Sequence, residues 1–243
     1  MFFTYLTDLP TDAGFSLYAS PHICMLILIL LCCLFGCHWF HRQSPAQQER
    51  FTHQLGLVIL LTELLRIAVY AAVSALNLYE LPLHLCGLAV YLCAFHSLWK
   101  PDWLSQVLYT LCLPGAWCAL LFPDWTCYPF FSFFSLHSFF AHGLLVFYIH
   151  LQTASGSIRP RLSAIWKPIL FLCFVIPPIY WFDLHFHANY MFLQLSSEGS
   201  PLLLLSQLAG GNTAGYLILF SIVVFGMMLS MDLLYLRFSA HKK

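Results

Sequence analysis

The sequence predicts an all-α protein: a polytopic membrane helical bundle of seven transmembrane helices, with the amino terminus outside and the carboxyl terminus in the cytosol. Three observations carry that expectation. Of the 243 residues 60% are hydrophobic and only 8% charged, with a mean hydropathy of +0.79, whereas a soluble domain carries about 25% charged residues. The apolar runs are near the roughly 20 residues that a helix needs to cross the hydrocarbon core, and they are apolar all round, without the alternation of a β-barrel strand. The third observation is where the basic residues fall.

The spans are predicted at about residues 21 to 40, 55 to 76, 80 to 98, 103 to 122, 130 to 151, 164 to 183 and 213 to 236, as one membrane domain covering the whole chain. Cytoplasmic loops are enriched in Lys and Arg. Arg42 and Arg50 follow the first span, Lys100 the third, Arg159, Arg161 and Lys167 surround the loop after the fifth, and Arg237, Lys242 and Lys243 end the chain. Every basic residue except Arg66 therefore falls on one side, which an even number of spans would spoil. The first twenty residues hold Asp8 and Asp12 but no Lys or Arg, so the basic region of a cleavable signal peptide is absent and the first span is expected to be retained.

Between spans six and seven the outer connection contains a short interfacial helix at about residues 201 to 209. Ser200 suits its cap, Pro201 its first position, and Gly210 with Gly211 its end. It is too short to span, so it serves either as a lid or as a connector shielding helix ends. Pro114 is expected to kink span four, and Pro177 with Pro178 span six. Trp103, Trp125, Tyr128 and Trp181 fall near span ends, as interfacial aromatics do. Eight of the ten cysteines lie in apolar runs and read as packing residues; Cys127 sits in a predicted outer loop. Zero formal net charge gives no nucleic-acid footprint. No nucleotide loop, repeat or cofactor motif is present, so no cofactor is expected.

Ionisable groups in hydrocarbon are costly and face the protein interior or a water-filled cavity, so each is a functional candidate. Glu63 and Arg66 are three residues apart on one helical face and can pair, either as a packing device or as part of a polar site. His84 and Cys86 open span three after Pro82 but are separated by about 200° on a regular helix, so any base for Cys86 must come from another helix. In span five Ser135, Ser138 and His142 form one stripe, with His137 on a different face. Ser138 and His142 can hydrogen-bond, which leaves His142 as a structural group or a proton carrier. Asp183, His185 and His187 would project together from an extended segment, a weak zinc signal, and no metal is expected. Asp232, with Arg237 nearby, is expected to make an interfacial pair.

The segment from Leu81 through Pro82, His84 and Cys86, preceded by Glu63 and followed by Ala141-His142-Gly143 and Asn189-Tyr190-Met191-Phe192-Leu193, resembles the YwaF family, which includes eukaryotic transmembrane protein 164. The resemblance covers nearly the whole chain. It implies a seven-span acyltransferase-like fold and acyl transfer between membrane phospholipids through a cysteine. On that resemblance Cys86 would be the nucleophile, His142 the general base, and Glu63 or His84 an orienting or polarising group. Arg66, Ser138, Asn189 and Tyr190 would contact the substrate. Thioester chemistry suits such a transfer because it splits one difficult step into two.

Two functions from different classes follow. One is a lipid acyltransferase or transacylase; the other is a non-enzymatic seven-span binding protein or small-solute transporter with Glu63, Arg66 and His142 lining a polar cavity. An assembly subunit is the third possibility, predicting a packed bundle with no access to Cys86. Phospholipids are the expected partners of the first, and no protein partner is specified. A compact chain points to a bacterial inner membrane.

Overall fold

Backbone N–H and C=O groups find no water in lipid, so the apolar runs close their hydrogen bonds internally as helices. The computed structural model describes residues 1–197 and 199–240, and these contain eight helices and no strands. They are α1 (Ser20–His41), α2 (Pro45–Ala72), α3 (Leu85–Trp99), α4 (102–121), α5 (Phe133–Ala154), α6 (Trp166–Phe186), the short α7 (Leu202–Leu208) and α8 (Thr213–Ala240). Lys242 and Lys243, part of the predicted cytosolic end, lie outside the described residues.

Six of these helices are long and apolar enough to cross a membrane: α1, α2, α4, α5, α6 and α8. The third predicted span differs. Its helix has only 15 residues and starts at Leu85, not near residue 80. The cause is local: Pro82 lies outside the helix, Leu83 N–H closes a tight turn onto Leu81 O, and Leu81 N–H is taken by the Tyr190 hydroxyl. At 1.5 Å per residue, α3 reaches about 22 Å, short of a full span without its extended lead-in.

The chain starts and stops its helices by ordinary means. Ser44 caps α2 in a reciprocal box with Gln47, and Ser132 caps α5 through Ser135 N–H. Pro114 is accommodated by a π turn at Leu108–Cys112, which interrupts α4 just before it. Pro177 and Pro178 lie within the uninterrupted α6. The short helix α7 falls where it was expected, with Ser200 Oγ accepting from Leu202 N–H, and Gly210 and Gly211 at positive φ after it.

Helix α4 is the axis of the bundle: 72% of its apolar window is buried, against 11% for α8 and 17% for α1 and α6. The outer helices therefore present apolar side chains such as Phe35, Phe174 and Ile218 outward, as lipid-facing surfaces do. Close packing of α2 on α3 depends on Gly56, where an added Cβ would overlap the Ser97 hydroxyl and Cβ. Gly56→Ala is expected to cost about 1–3 kcal/mol of stability, measured as a lower melting temperature in detergent; an unchanged melt would show that the α2–α3 contact is loose.

Polar side chains are paired across helices. His96, fully buried, links Tyr148 OH at 2.8 Å to Ser105 Oγ at 3.0 Å. Gln152 donates to Thr52 Oγ1 at 2.8 Å. Asp232 corrects an expectation: it is buried, and its carboxylate takes the Gln106 amide at 3.0 Å, while Arg237 is exposed. At one end of the bundle Asp102 holds Arg161 and Lys167, and Lys100 lies 3.9 Å from Glu49. At the opposite end the amino-terminal segment folds over the helix ends, with Phe133 N–H donating to Phe2 O and Phe15 N–H to Thr126 O.

Candidate functional site

Cys86 is the second residue of α3, and His84 is its N-cap with an extended backbone at φ −66° and ψ 151°. The first intrahelical bond runs from Leu88 N–H to His84 O. The earlier amides of Leu85, Cys86 and Gly87 point along the helix start and meet no acceptor among the described residues, and no side chain caps them. The half-buried thiol thus lies beside uncapped N–H groups at the positive end of a helix. Gly87 keeps that turn tight, since a Cβ there would come within 2.9 Å of the Pro82 backbone. Cys86 Sγ makes no hydrogen bond among the described residues.

His142 stands on α5 with its Nδ1–H donated to Ser138 O at 2.7 Å. The expected bond between Ser138 and His142 is present, with the Ser138 backbone carbonyl as the acceptor. That bond fixes the tautomer, so Nε2 of the neutral ring keeps a free lone pair. Trp125 stacks on the ring with centroids 5.0 Å apart and planes 21° apart, and meets Phe139 edge-on at 5.3 Å. Trp125 and Tyr128 are buried, not interfacial. Trp125 belongs to a short turn, Asp124–Cys127, that folds inward over α5, and Tyr128 caps its end. Asp124 precedes Trp125 in this turn and is exposed. His84 and Cys86 thus stand together at the start of α3, and the 124–127 turn sets an exposed carboxylate next in sequence to the tryptophan that covers His142. The sequence analysis did not single out Asp124 and took Trp125 for an interfacial aromatic, because only the inward fold of their turn marks them as part of the site.

His84 is held by a clasp. Its Nδ1 accepts from Met191 N–H at 3.2 Å, leaving the proton on Nε2, and its ring packs against Tyr190 and Phe192 at 5.0 and 5.4 Å. Met191 and Phe192 both adopt positive φ, 53° and 57°, a costly conformation for non-glycine residues that persists only where surroundings fix it. The surroundings are visible. Tyr190 N–H donates to Asp183 Oδ1 at 3.0 Å, Tyr190 OH donates to Leu78 O at 2.7 Å, and Tyr216 OH donates to Phe192 O at 2.8 Å. Asn189 Oδ1 accepts from the amides of Gln194 and Leu195. Asn189 and Tyr190 thus use their polar atoms to build the clasp. Burial pushes the Tyr190 phenol up to about 12, so it stays a neutral donor.

Glu63 and Arg66 pair as their spacing predicts, bidentately at 2.7 and 3.0 Å. Arg66 also donates to Glu80 O at 2.9 Å, lies 3.5 Å from the Glu80 carboxylate, and sits over the Tyr70 ring at 5.2 Å. Tyr5 OH closes the group by donating to Glu80 Oε1 at 2.7 Å. Burial and Glu80 push the Tyr5 phenol up to about 12. Both Glu63 oxygens are taken by Arg66, so this carboxylate orients neither imidazole. The cluster ties the amino-terminal segment, α2 and the 77–84 loop together. No group of three or more His, Cys, Asp and Glu that could hold a metal occurs among the described residues. The weak zinc signal dissolves because Asp183 is buried on Tyr190 N–H while His185 turns back to Trp181 O.

Comparison with known proteins gives one positive result: the TMEM164 family matches residues 17–232. That stretch runs from before α1 into α8 and includes Glu63, Arg66, His84, Cys86, Asp124, Trp125, His142, Asn189 and Tyr190, but not Tyr5. No curated protein and no solved structure matches.

Proposed function

The chain belongs to the TMEM164 family, and from that membership and the surroundings of Cys86 we propose that it is a seven-span, membrane-embedded lipid acyltransferase or transacylase working through a cysteine thioester. In this reading α3 with its extended lead-in completes the third span, the amino terminus is outside and the carboxyl terminus cytosolic, as the gathering of Lys100, Arg161 and Lys167 at one end supports.

One observation carries the chemistry: a thiol on the second residue of a helix whose first amides are unclaimed. Free amides at a helix N-terminus are donors for the oxyanion that forms when an acyl carbonyl is attacked. The steps balance as follows. The Cys86 proton passes to His142 Nε2, and sulfur bonds to the ester carbonyl carbon of a donor phospholipid. The carbonyl oxygen takes the charge against the amides of Cys86 and Gly87. Collapse of this adduct expels the lysophospholipid oxygen, which leaves with the proton from His142. A hydroxyl of the acceptor then attacks the thioester while His142 takes its proton, and the thiol is restored when that proton returns to sulfur. His84, with Nε2–H outward, suits a donor that polarises the ester and not the base. Cys86 Sγ and His142 Nε2 share no hydrogen bond among the described residues, and catalytic contacts of this kind commonly tighten only in the complex.

The test is to incubate the purified protein with a phospholipid carrying a labelled acyl chain and quench in denaturant. A hydroxylamine-labile label on the wild-type protein, absent from Cys86→Ala, is the expected result. No label with a broad panel of donors would overturn the thioester and favour the alternative, a non-enzymatic binding protein or transporter.

A further inference from the structure

Two buried donors, one stacked over His142 and one two turns away on the same helix face, are left without partners among the described residues. Trp125 is 7% exposed and its indole Nε1–H meets no acceptor; Ser135 is fully buried and its hydroxyl has none either. An unpaired buried donor opposes folding and so calls for an explanation. These two share a location. Trp125 covers Phe139 and His142 on α5. Ser135 is seven residues before His142, two helical turns away, on the same face as Phe139 and His142. The face therefore carries a fixed imidazole and, two turns away, an idle hydroxyl, with the indole of the 124–127 turn, its N–H idle, stacked on the imidazole.

The arrangement is built, not accidental to a loose loop. The amino-terminal segment clamps the turn through Phe15 N–H on Thr126 O, and Gly14 sits so close beneath it that a Cβ would collide with Thr126 O. Phe139 packs on Trp125, Phe130 and His22 as well. Trp125 is thus held where its ring restrains the imidazole of His142.

We infer that Trp125 Nε1–H and the Ser135 hydroxyl are substrate-binding donors, held for acceptor oxygens of a phospholipid, with the acyl ester carbonyl as the group bound beside His142. The chemistry of the ligand follows from the donors. A diacyl glycerophospholipid presents ester carbonyl and phosphate oxygens around its glycerol and no donor that would compete for the same groups. The inference rests on the acyl-lipid reading above, and it supplies specificity elements that reading lacks: Asn189, Tyr190 and Arg66 have internal partners, whereas these two donors do not.

The experiment separates binding from chemistry by working in a Cys86→Ala background. Affinity for a fluorescent phosphatidylcholine and the melting temperature are measured together for Ser135→Ala and for Trp125→Phe, which keeps an aromatic ring over His142 but removes the N–H. Each variant is expected to weaken lipid affinity about five-fold, the effect of one lost hydrogen bond. Ser135→Ala should melt at the same temperature or higher, since it removes an unpaired buried hydroxyl. Unchanged lipid affinity in both variants overturns the inference, as does a lower melting temperature with unchanged affinity for Ser135→Ala, which would reveal a structural partner. Loss of affinity with no thioester on the Cys86-containing protein would remove the acyl-transfer proposal and leave these donors as a lipid site.

Discussion

Arg66→Met is expected to produce the largest loss of stability of any single substitution in this protein, about 3–5 kcal/mol. Arg66 is the sole cation facing two carboxylates, Glu63 and Glu80, and the side chains are only 16%, 5% and 18% exposed. A buried pair contributes little net, because desolvation offsets the attraction; the cost of breaking one arises from the charge left behind. Methionine keeps the length and apolar stem but strands two carboxylates in a region where burial is expensive. Melting in detergent should show the loss directly. The decisive control is a triple variant, Arg66→Met with Glu63→Gln and Glu80→Gln, in which no charge remains and most of the stability should return. If the triple variant melts as low as the single one, the guanidinium matters through packing over Tyr70 or its bond to Glu80 O, and not through charge.

The same cluster shows how far the sequence could be read. A three-residue spacing is enough to predict that Glu63 and Arg66 meet, because the helix brings them together whatever surrounds it. Glu80 and Tyr5 joined them across the fold, at separations no local pattern reports. Six long spans were legible for the same local reason, since lipid demands uniform apolar runs of fixed length. Span three misled because Leu81-Pro82-Leu83 is as apolar as a helix. Its backbone is instead drawn out by the Tyr190 hydroxyl, 109 residues away in sequence. Asp232 found Gln106 and not the nearby Arg237, and Trp125 turned inward onto His142 where an interfacial ring was expected. The thiol and the imidazole were identified as residues, through resemblance; the free amides, the tautomers and the covering tryptophan are products of tertiary structure.

His142→Asn should reduce acyl transfer by roughly 10²–10⁴-fold, the usual contribution of a general base, with lipid affinity little changed. Asparagine retains an N–H that can reach Ser138 O, so the bond that anchors His142 at 2.7 Å is preserved in kind. What disappears is the Nε2 lone pair, the only acceptor on that ring left free for the Cys86 proton. His84→Asn provides the contrast. Its Oδ1 can accept Met191 N–H as Nδ1 now does at 3.2 Å, keeping the clasp while removing a polarising donor, and its effect should be the smaller. The two variants assign the roles through kcat: a larger fall for His84 would exchange them, making the imidazole beside the clasp the base. Hydroxylamine at fixed pH adds a second measurement, because it attacks a formed thioester without enzymatic help. The His142 variant should accumulate acyl-enzyme slowly, yet release what it holds to hydroxylamine as readily as wild type. Rapid acylation of that variant would show that Cys86 loses its proton to another group, with Asp124, next in sequence to the tryptophan that covers His142, the first to be replaced in turn.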